Sequence, residues 1–177
     1  MYGEWKVEDI EIEDIDGGDY PHLKSKDIIN LPYDDNSVDV IYASHVIEYF
    51  DRDEIKEVLL KWYQKLRPGG ILRIAVPDFY AMVELYFEND VDLSKLLGPL
   101  YGKMKMGDTT IYHKTTYDYV SLKRLLEDVG FVYPQGYNWQ QTDHAHIDDH
   151  SQAYIPHMDK KNGTLISLNV ECFKPNS

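Results

Sequence analysis

The runs Val38-Asp-Val-Ile-Tyr-Ala43 and Leu66-Arg-Pro-Gly-Gly-Ile-Leu-Arg-Ile-Ala-Val76 decide the fold. The first is short and rich in β-branched and aromatic residues, the composition of a strand buried on both faces. Leu31-Pro-Tyr-Asp-Asp-Asn-Ser37 precedes it, and the Pro, Asp and Asn there favour a turn. Asp51 and Glu54 stand at capping-box spacing, and Ile55, Val58, Leu59, Trp62 and Leu66 then fall on one helical face. Arg67-Pro-Gly-Gly70 ends that helix, and the apolar run 71–76 supplies a second strand up to Pro77. A connection containing a full helix returns the chain to its starting end, so the two strands are expected parallel in one sheet.

Upstream, Lys6-Val-Glu-Asp-Ile-Glu-Ile-Glu-Asp-Ile15 alternates as a half-buried strand does, and Gly17-Gly18 stops it. Residues 22–29 offer a short extended segment. Downstream, 78–101 reads as two short helices, with breaks at 89–92 and at Gly98-Pro99, followed by a long loop over 102–116. Asp118 caps a further helix with the stripe Leu122, Leu125, Leu126 and Val129, and Gly130 provides a left-handed stop. A strand over 131–139, a histidine-containing polar stretch, the turn Asn162-Gly163 and an alternating strand over 164–173 complete the chain. The last strand is expected to enter the sheet antiparallel beside its predecessor.

A length of 177 residues with 43% hydrophobic side chains supports one core, so 1–177 is read as a single domain. No apolar run approaches the ~20 residues of a membrane span, and no basic, apolar leader follows Met1. The expectation is a soluble cytoplasmic protein with no membrane partner. The net charge of −13 repels a phosphate backbone and argues against nucleic acid. Within the first sixty positions, seventeen residues are acidic and five are Lys or Arg, so the excess is concentrated there. Cys172, the only cysteine, lies in the alternating run Ile166, Leu168, Val170, Cys172 and reads as a buried structural thiol.

The stretch Asp27-Ile-Ile-Asn-Leu-Pro-Tyr-Asp-Asp-Asn-Ser-Val-Asp-Val-Ile-Tyr-Ala-Ser-His-Val-Ile-Glu48, followed by the run 66–78, resembles the middle of class I S-adenosylmethionine-dependent methyltransferases of the type 11-like group. The tail from Asp148 through Glu171 is similar to one bacterial and viral branch of these proteins. The resemblance implies a Rossmann-like α/β fold, with a mostly parallel sheet and an antiparallel C-terminal strand. Members ordinarily open with a strand leading into a Gly-x-Gly turn, which lets backbone amides approach the cofactor. No such turn precedes Val38, so the chain reads as N-terminally truncated, with its first strand and glycine loop missing or replaced. The acidic strand could occupy the vacant position, or a second copy could complete the sheet, which makes a homodimer the expected assembly.

The same resemblance assigns ribose binding to Asp14 or Asp16, because a carboxylate accepts both hydroxyl hydrogens of a vicinal diol. It gives Asp27 the adenine amino group, with Ile28 packing beside the ring. Ser44 and His45 fall just beyond a strand whose C-terminal end faces the binding crevice. His45 is the candidate catalytic residue, placed to touch the methionine portion or to remove an acceptor proton. His113, Lys114 and Tyr117 are candidate contacts to a small-molecule or carbohydrate-like acceptor. His144, His146, Asp148, Asp149, His150 and His157 offer metal-ligand types, but their spacing fixes no geometry and no metal is expected. The implied activity is methyl transfer from S-adenosylmethionine through an incomplete cofactor site. The alternative is a noncatalytic binding or assembly module built on the same scaffold.

Overall fold

The computed structural model describes residues 28–106 and 108–176. Asp14, Asp16 and Asp27, and the acidic strand expected over 6–15, lie outside the described residues.

Strand β1 (Val38–Ser44) and strand β2 (Leu66–Pro77) are joined through helix α1 (Ile55–Lys65) and pair in parallel, with Ile41 opposite Leu72 and Ser44 opposite Ala75. The crossover read from sequence is present. Only half of the capping box expected at Asp51 and Glu54 forms: the Asp51 backbone N–H donates to Glu54 Oε2 at 3.3 Å, but Asp51 Oδ1 accepts from the Asp53 N–H and α1 starts after Glu54 with no side-chain cap. Ile55, Val58, Leu59 and Trp62 are the buried side of α1, and Leu66 is fully buried where the helix passes into β2. The Trp62 indole N–H donates to the Ile28 carbonyl at 2.7 Å, which ties the entry segment to the helix.

After β2 come α2 (Phe79–Glu88) and α3 (Leu93–Tyr101), capped by the side chains of Asp78 and Asp92. The break expected at Gly98-Pro99 does not occur. Pro99 sits inside α3, and the Gly102 N–H closes the final turn on the Gly98 carbonyl at 2.7 Å. Proline deletes the donor that would meet Lys95, an exposed position. The loop expected over 102–116 contains a short hairpin of β3 (Met104–Met106) and β4 (Thr109–Ile111). Strands of three residues are too brief for period-two alternation to announce them.

Helix α4 (Tyr119–Val129) begins with the expected Asp118 cap, completed by Ser121 into a reciprocal capping box, and stops at left-handed Gly130. Strand β5 (Val132–Gly136) follows. The strand expected over 164–173 divides at Ile166. Its first part, β7 (Thr164–Leu165), pairs with β6 (Tyr154–Ile155), while β8 (Ser167–Phe173) enters the main sheet.

The main sheet has the order β1-β2-β8-β5. β8 runs antiparallel to both β2 and β5, so the other three strands share one direction. This is the mixed α/β arrangement expected, with the antiparallel final strand beside its predecessor.

Period-two alternation gives the sheet two unlike faces. Ala43, Leu72, Ile74, Val76, Val170 and Cys172 join the buried faces of α1 and α4 in the main core. Across the other face, the register aligns Tyr42 with Arg73 and Glu171, Ser44 with Ala75 and Asn169, and Pro77 with Ser167. The segment 137–152 meets this second face through polar contacts. The Tyr42 hydroxyl donates to Asp149 Oδ2 at 2.6 Å, His144 stacks on the Tyr42 ring at 3.8 Å, and Asn169 Nδ2 donates to the Ser151 carbonyl at 2.9 Å. β1 was expected to be buried on both faces, but only Ala43 is. Among the described residues, β1 ends the sheet and has one neighbouring strand.

Candidate active site

The C-terminal ends of β1 and β2 and the start of β8 meet at His45. Its backbone N–H donates to the Ala75 carbonyl at 2.8 Å, extending the parallel ladder by one bond. Its φ of +53° then turns the chain sharply. A left-handed non-glycine residue is uncommon, and such positions concentrate where a site demands them. The turn leads into a single 3-10 turn (Ile47–Tyr49), which carries Glu48 beneath the ring of His45.

Glu48 is fully buried, and among the described residues neither carboxylate oxygen has a hydrogen bond of good geometry. Its neighbours are two imidazoles: His45 Nδ1 lies 3.2 Å from Oε1, and His113 Nε2 lies 3.8 Å from the same oxygen. Burying an ionisable group with so little compensation is costly, which makes Glu48 the outstanding feature of the site. The Glu48 backbone carbonyl also accepts from the N–H groups of Lys114 at 2.8 Å and Thr115 at 3.3 Å, and this anchors the segment bearing His113. His113 Nδ1 faces the Pro99 carbonyl at 3.1 Å, and because a carbonyl only accepts, that nitrogen carries the proton. Burial lowers the pKa of His113, while Glu48 opposes the shift.

His45 Nε2 lies 3.3 Å from Ser167 Oγ, which in turn donates to Asn169 Oδ1 at 2.9 Å. Tyr49 packs edge-on against His113 with ring centroids 4.7 Å apart, and its phenol is pushed up to about 12 by burial and by Glu48. The Tyr117 hydroxyl is buried, and burial, with Glu48 adding to it, raises its pKa. His150 stands at the rim, 5.3 Å from the His45 ring.

Of the residues singled out in sequence, the structure brings together Ser44, His45, His113 and Tyr117. Ser44 Oγ is buried and has no hydrogen-bond partner among the described residues. Lys114 approaches by its backbone, and its ammonium turns to Glu54 Oε2 at 3.9 Å. Ile28 is half-buried against the main core. The metal-ligand types in the tail disperse. His144 is buried against Tyr42, His150 faces His45, and His146 and His157 are exposed. Among the described residues, no group of three or more His, Cys, Asp or Glu is placed to hold a metal ion. Sequence reasoning missed Glu48, Ser167 and Asn169. The i,i+3 spacing of His45 and Glu48 was the available signal for the first, whereas the other two reach the site only through the pairing of β8.

Residues 11–74, which include Ser44, His45 and Glu48, match the model of the methyltransferase domain family. The match covers 64 of the 177 residues. A S-adenosylmethionine-dependent methyltransferase from Methanosarcina mazei shares the fold, with a TM-score of 0.50 and 16% identity over 85% of this chain and 66% of that one. A second, from Archaeoglobus fulgidus, gives 0.44 with 16% identity over 80% and 62%. The 1,6-didemethyltoxoflavin-N1-methyltransferase of Burkholderia thailandensis, with bound S-adenosylhomocysteine, gives 0.42 with 14% identity over 80% and 45%. The chain spans less than two thirds of the length of each of these structures. No curated protein matches the sequence significantly. The likeness to the Methanosarcina mazei structure is one of fold, a Rossmann-like α/β arrangement. Among the described residues, no helix is long and apolar enough to cross a membrane.

Proposed function

We propose that this methyltransferase domain transfers a methyl group from S-adenosylmethionine to a small-molecule or carbohydrate-like acceptor at the C-terminal ends of β1 and β2. The observation that carries this reading is the Ser44-His45-Glu48 constellation, which stands at the crevice end of a parallel strand pair and inside the family match. The partnerless Ser44 hydroxyl suits the cofactor: buried beside the crevice, it can donate to a carboxylate or accept from an ammonium. Asp14, Asp16, Asp27 and Ile28 are the residues proposed to hold the nucleoside portion.

When bound, the cofactor supplies a methyl group already activated by a sulfonium. The protein's own part is to align the acceptor, exclude water and hold the acceptor's proton. His45, with a side chain 15% exposed, is the proposed base, and His113, Lys114 and Tyr117 are the proposed contacts to the acceptor. The proposed assembly is a homodimer in the cytoplasm, with β1 lying at the end of the described sheet. Light scattering tests the dimer, and a strictly monomeric species defeats it.

Calorimetric titration with S-adenosylmethionine and S-adenosylhomocysteine tests the function. Saturable binding of both is expected. Absence of heat at millimolar ligand would overturn methyl transfer in favour of the noncatalytic module.

A further inference from the structure

The buried carboxylate of Glu48 needs a reason, and the hydrogen-bond directions around His45 provide one. The Ser151 carbonyl can only accept, so the atom of Asn169 facing it is the amide nitrogen, and Asn169 Oδ1 must face Ser167. Ser167 therefore spends its hydroxyl hydrogen on Asn169 and presents lone pairs to His45 Nε2. On the opposite side, His45 Nδ1 faces Glu48 Oε1 at 3.2 Å. Both ring nitrogens thus meet acceptors. The surroundings are built for the imidazolium, the state the ring enters after taking a proton.

We propose that Glu48, His45 and Ser167 form a proton-accepting relay whose base is His45 Nε2 and whose acceptor substrate is a hydroxyl compound. This rests on the methyl-transfer reading above. A hydroxyl is a weak nucleophile until its proton leaves, whereas a thiol is partly ionised near neutrality and a carboxylate needs no base. In the step, a lone pair on the substrate oxygen forms the bond to the methyl carbon. The methyl–sulfur bond breaks and its electron pair stays on sulfur, leaving a neutral thioether. The substrate's hydroxyl proton passes to Ser167 Oγ as the Ser167 hydrogen passes to the Nε2 lone pair, and the positive charge lost by sulfur reappears on the ring beside Glu48.

Ser167 and His45 are the catalytic residues, while Glu48 is a positioning residue. The groups around this ring are Glu48 on its own segment, His113 from the segment before α4, His150 from the tail and Ser167 from β8, while Tyr49 and Tyr117 act on Glu48. His113 cannot replace Glu48 as the partner of His45, because its protonated nitrogen is committed to Pro99. Before substrate binds, the neutral ring keeps its hydrogen on Nδ1, since a charge-assisted bond to a carboxylate is about twice as strong as the neutral bond Ser167 makes to Asn169. The Ser167 hydroxyl then swings to Nε2. Catalytic hydrogen bonds in ligand-free enzymes are often loosely aligned, which accounts for the oblique approach of Nδ1 to Glu48.

The test is the tautomer of His45, read from nitrogen-15 correlation spectra of the full chain without ligand. Wild type is expected to show the Nδ1–H form. Glu48→Gln should move the hydrogen to Nε2, and Ser167→Ala should leave it on Nδ1. A wild-type ring carrying its hydrogen on Nε2 overturns the relay whether or not the variants fold. In the second arm, labelled S-adenosylmethionine is offered with catechol, methyl α-glucoside or thiophenol. Transfer to a hydroxyl probe, reduced by about 10²-fold or more in Glu48→Gln, is expected. Transfer to thiophenol alone, or to none of the three, overturns the hydroxyl assignment. Calorimetry separates the two levels, because wild type that binds no cofactor but shows the Nδ1–H ring ends the methyl-transfer step and not the hydrogen-bond assignment.

Discussion

Replacing Gly102 by alanine probes the wall that holds His113 against Glu48. Gly102 has φ +61°, and a Cβ there would lie 2.6 Å from both Cδ2 and Nε2 of the His113 ring. Two costs follow. A side chain in the left-handed region costs about 1–2 kcal/mol. The ring must also move, which breaks its bond to the Pro99 carbonyl for about 1 kcal/mol more. The expected loss is about 2–3 kcal/mol, measured as a fall in the urea midpoint at unchanged slope. Gly130→Ala supplies the control. That glycine also has positive φ, at +114°, but an added Cβ would meet its nearest neighbour, Tyr63, at 3.6 Å, an ordinary contact. It should cost the conformational share alone, about 1–2 kcal/mol. If Gly102→Ala is no more damaging than Gly130→Ala, the close approach of His113 to this turn is wrong, and so is the wall drawn around Glu48.

Burial, with Arg73 adding to it, lowers the pKa of His144 from 6.5 to about 4, so between those values the unfolded chain binds the extra proton. Its contribution to stability is present above pH 6.5 and is lost as pH falls toward 4, on the order of 3 kcal/mol, and His144→Asn should flatten that part of a thermal-stability profile. Tyr42→Phe removes the 2.6 Å bond to Asp149 beneath the tail and should cost about 1–2 kcal/mol by denaturation, with α1 and α4 unaffected in circular dichroism. Leu126→Ala empties a fully buried site between α4 and the sheet and should cost about 2–5 kcal/mol. Cys172 is buried with its thiol pushed up by that burial, so a thiol reagent should react only as the chain unfolds.

The crossover was legible because its signals are local: β-branched runs, an apolar face repeating at helical period, and a Pro-Gly-Gly stop. The same holds for α4, where Asp118 and Gly130 mark both ends within the sequence. Ser44 and His45 followed from strand polarity alone. Glu48 was hidden because an acidic residue one turn past a strand looks solvated until His113, 65 positions away, is folded over it. Ser167 and Asn169 were hidden for a similar reason: alternation in the last strand gives their face but not their neighbour. The hairpin after α3 and the continuity of that helix through Pro99 escaped because short strands and exposed prolines leave weak patterns.

The placement of β8 between β2 and β5 makes it a keystone. Until Ser167–Phe173 docks, β2 and β5 have no shared neighbour and His45 has no oxygen opposite Nε2. A chain cut or stalled before that strand therefore loses the link between β2 and β5 and the proposed proton path together. Half-assembled molecules would lack the proposed chemistry as well as the shape.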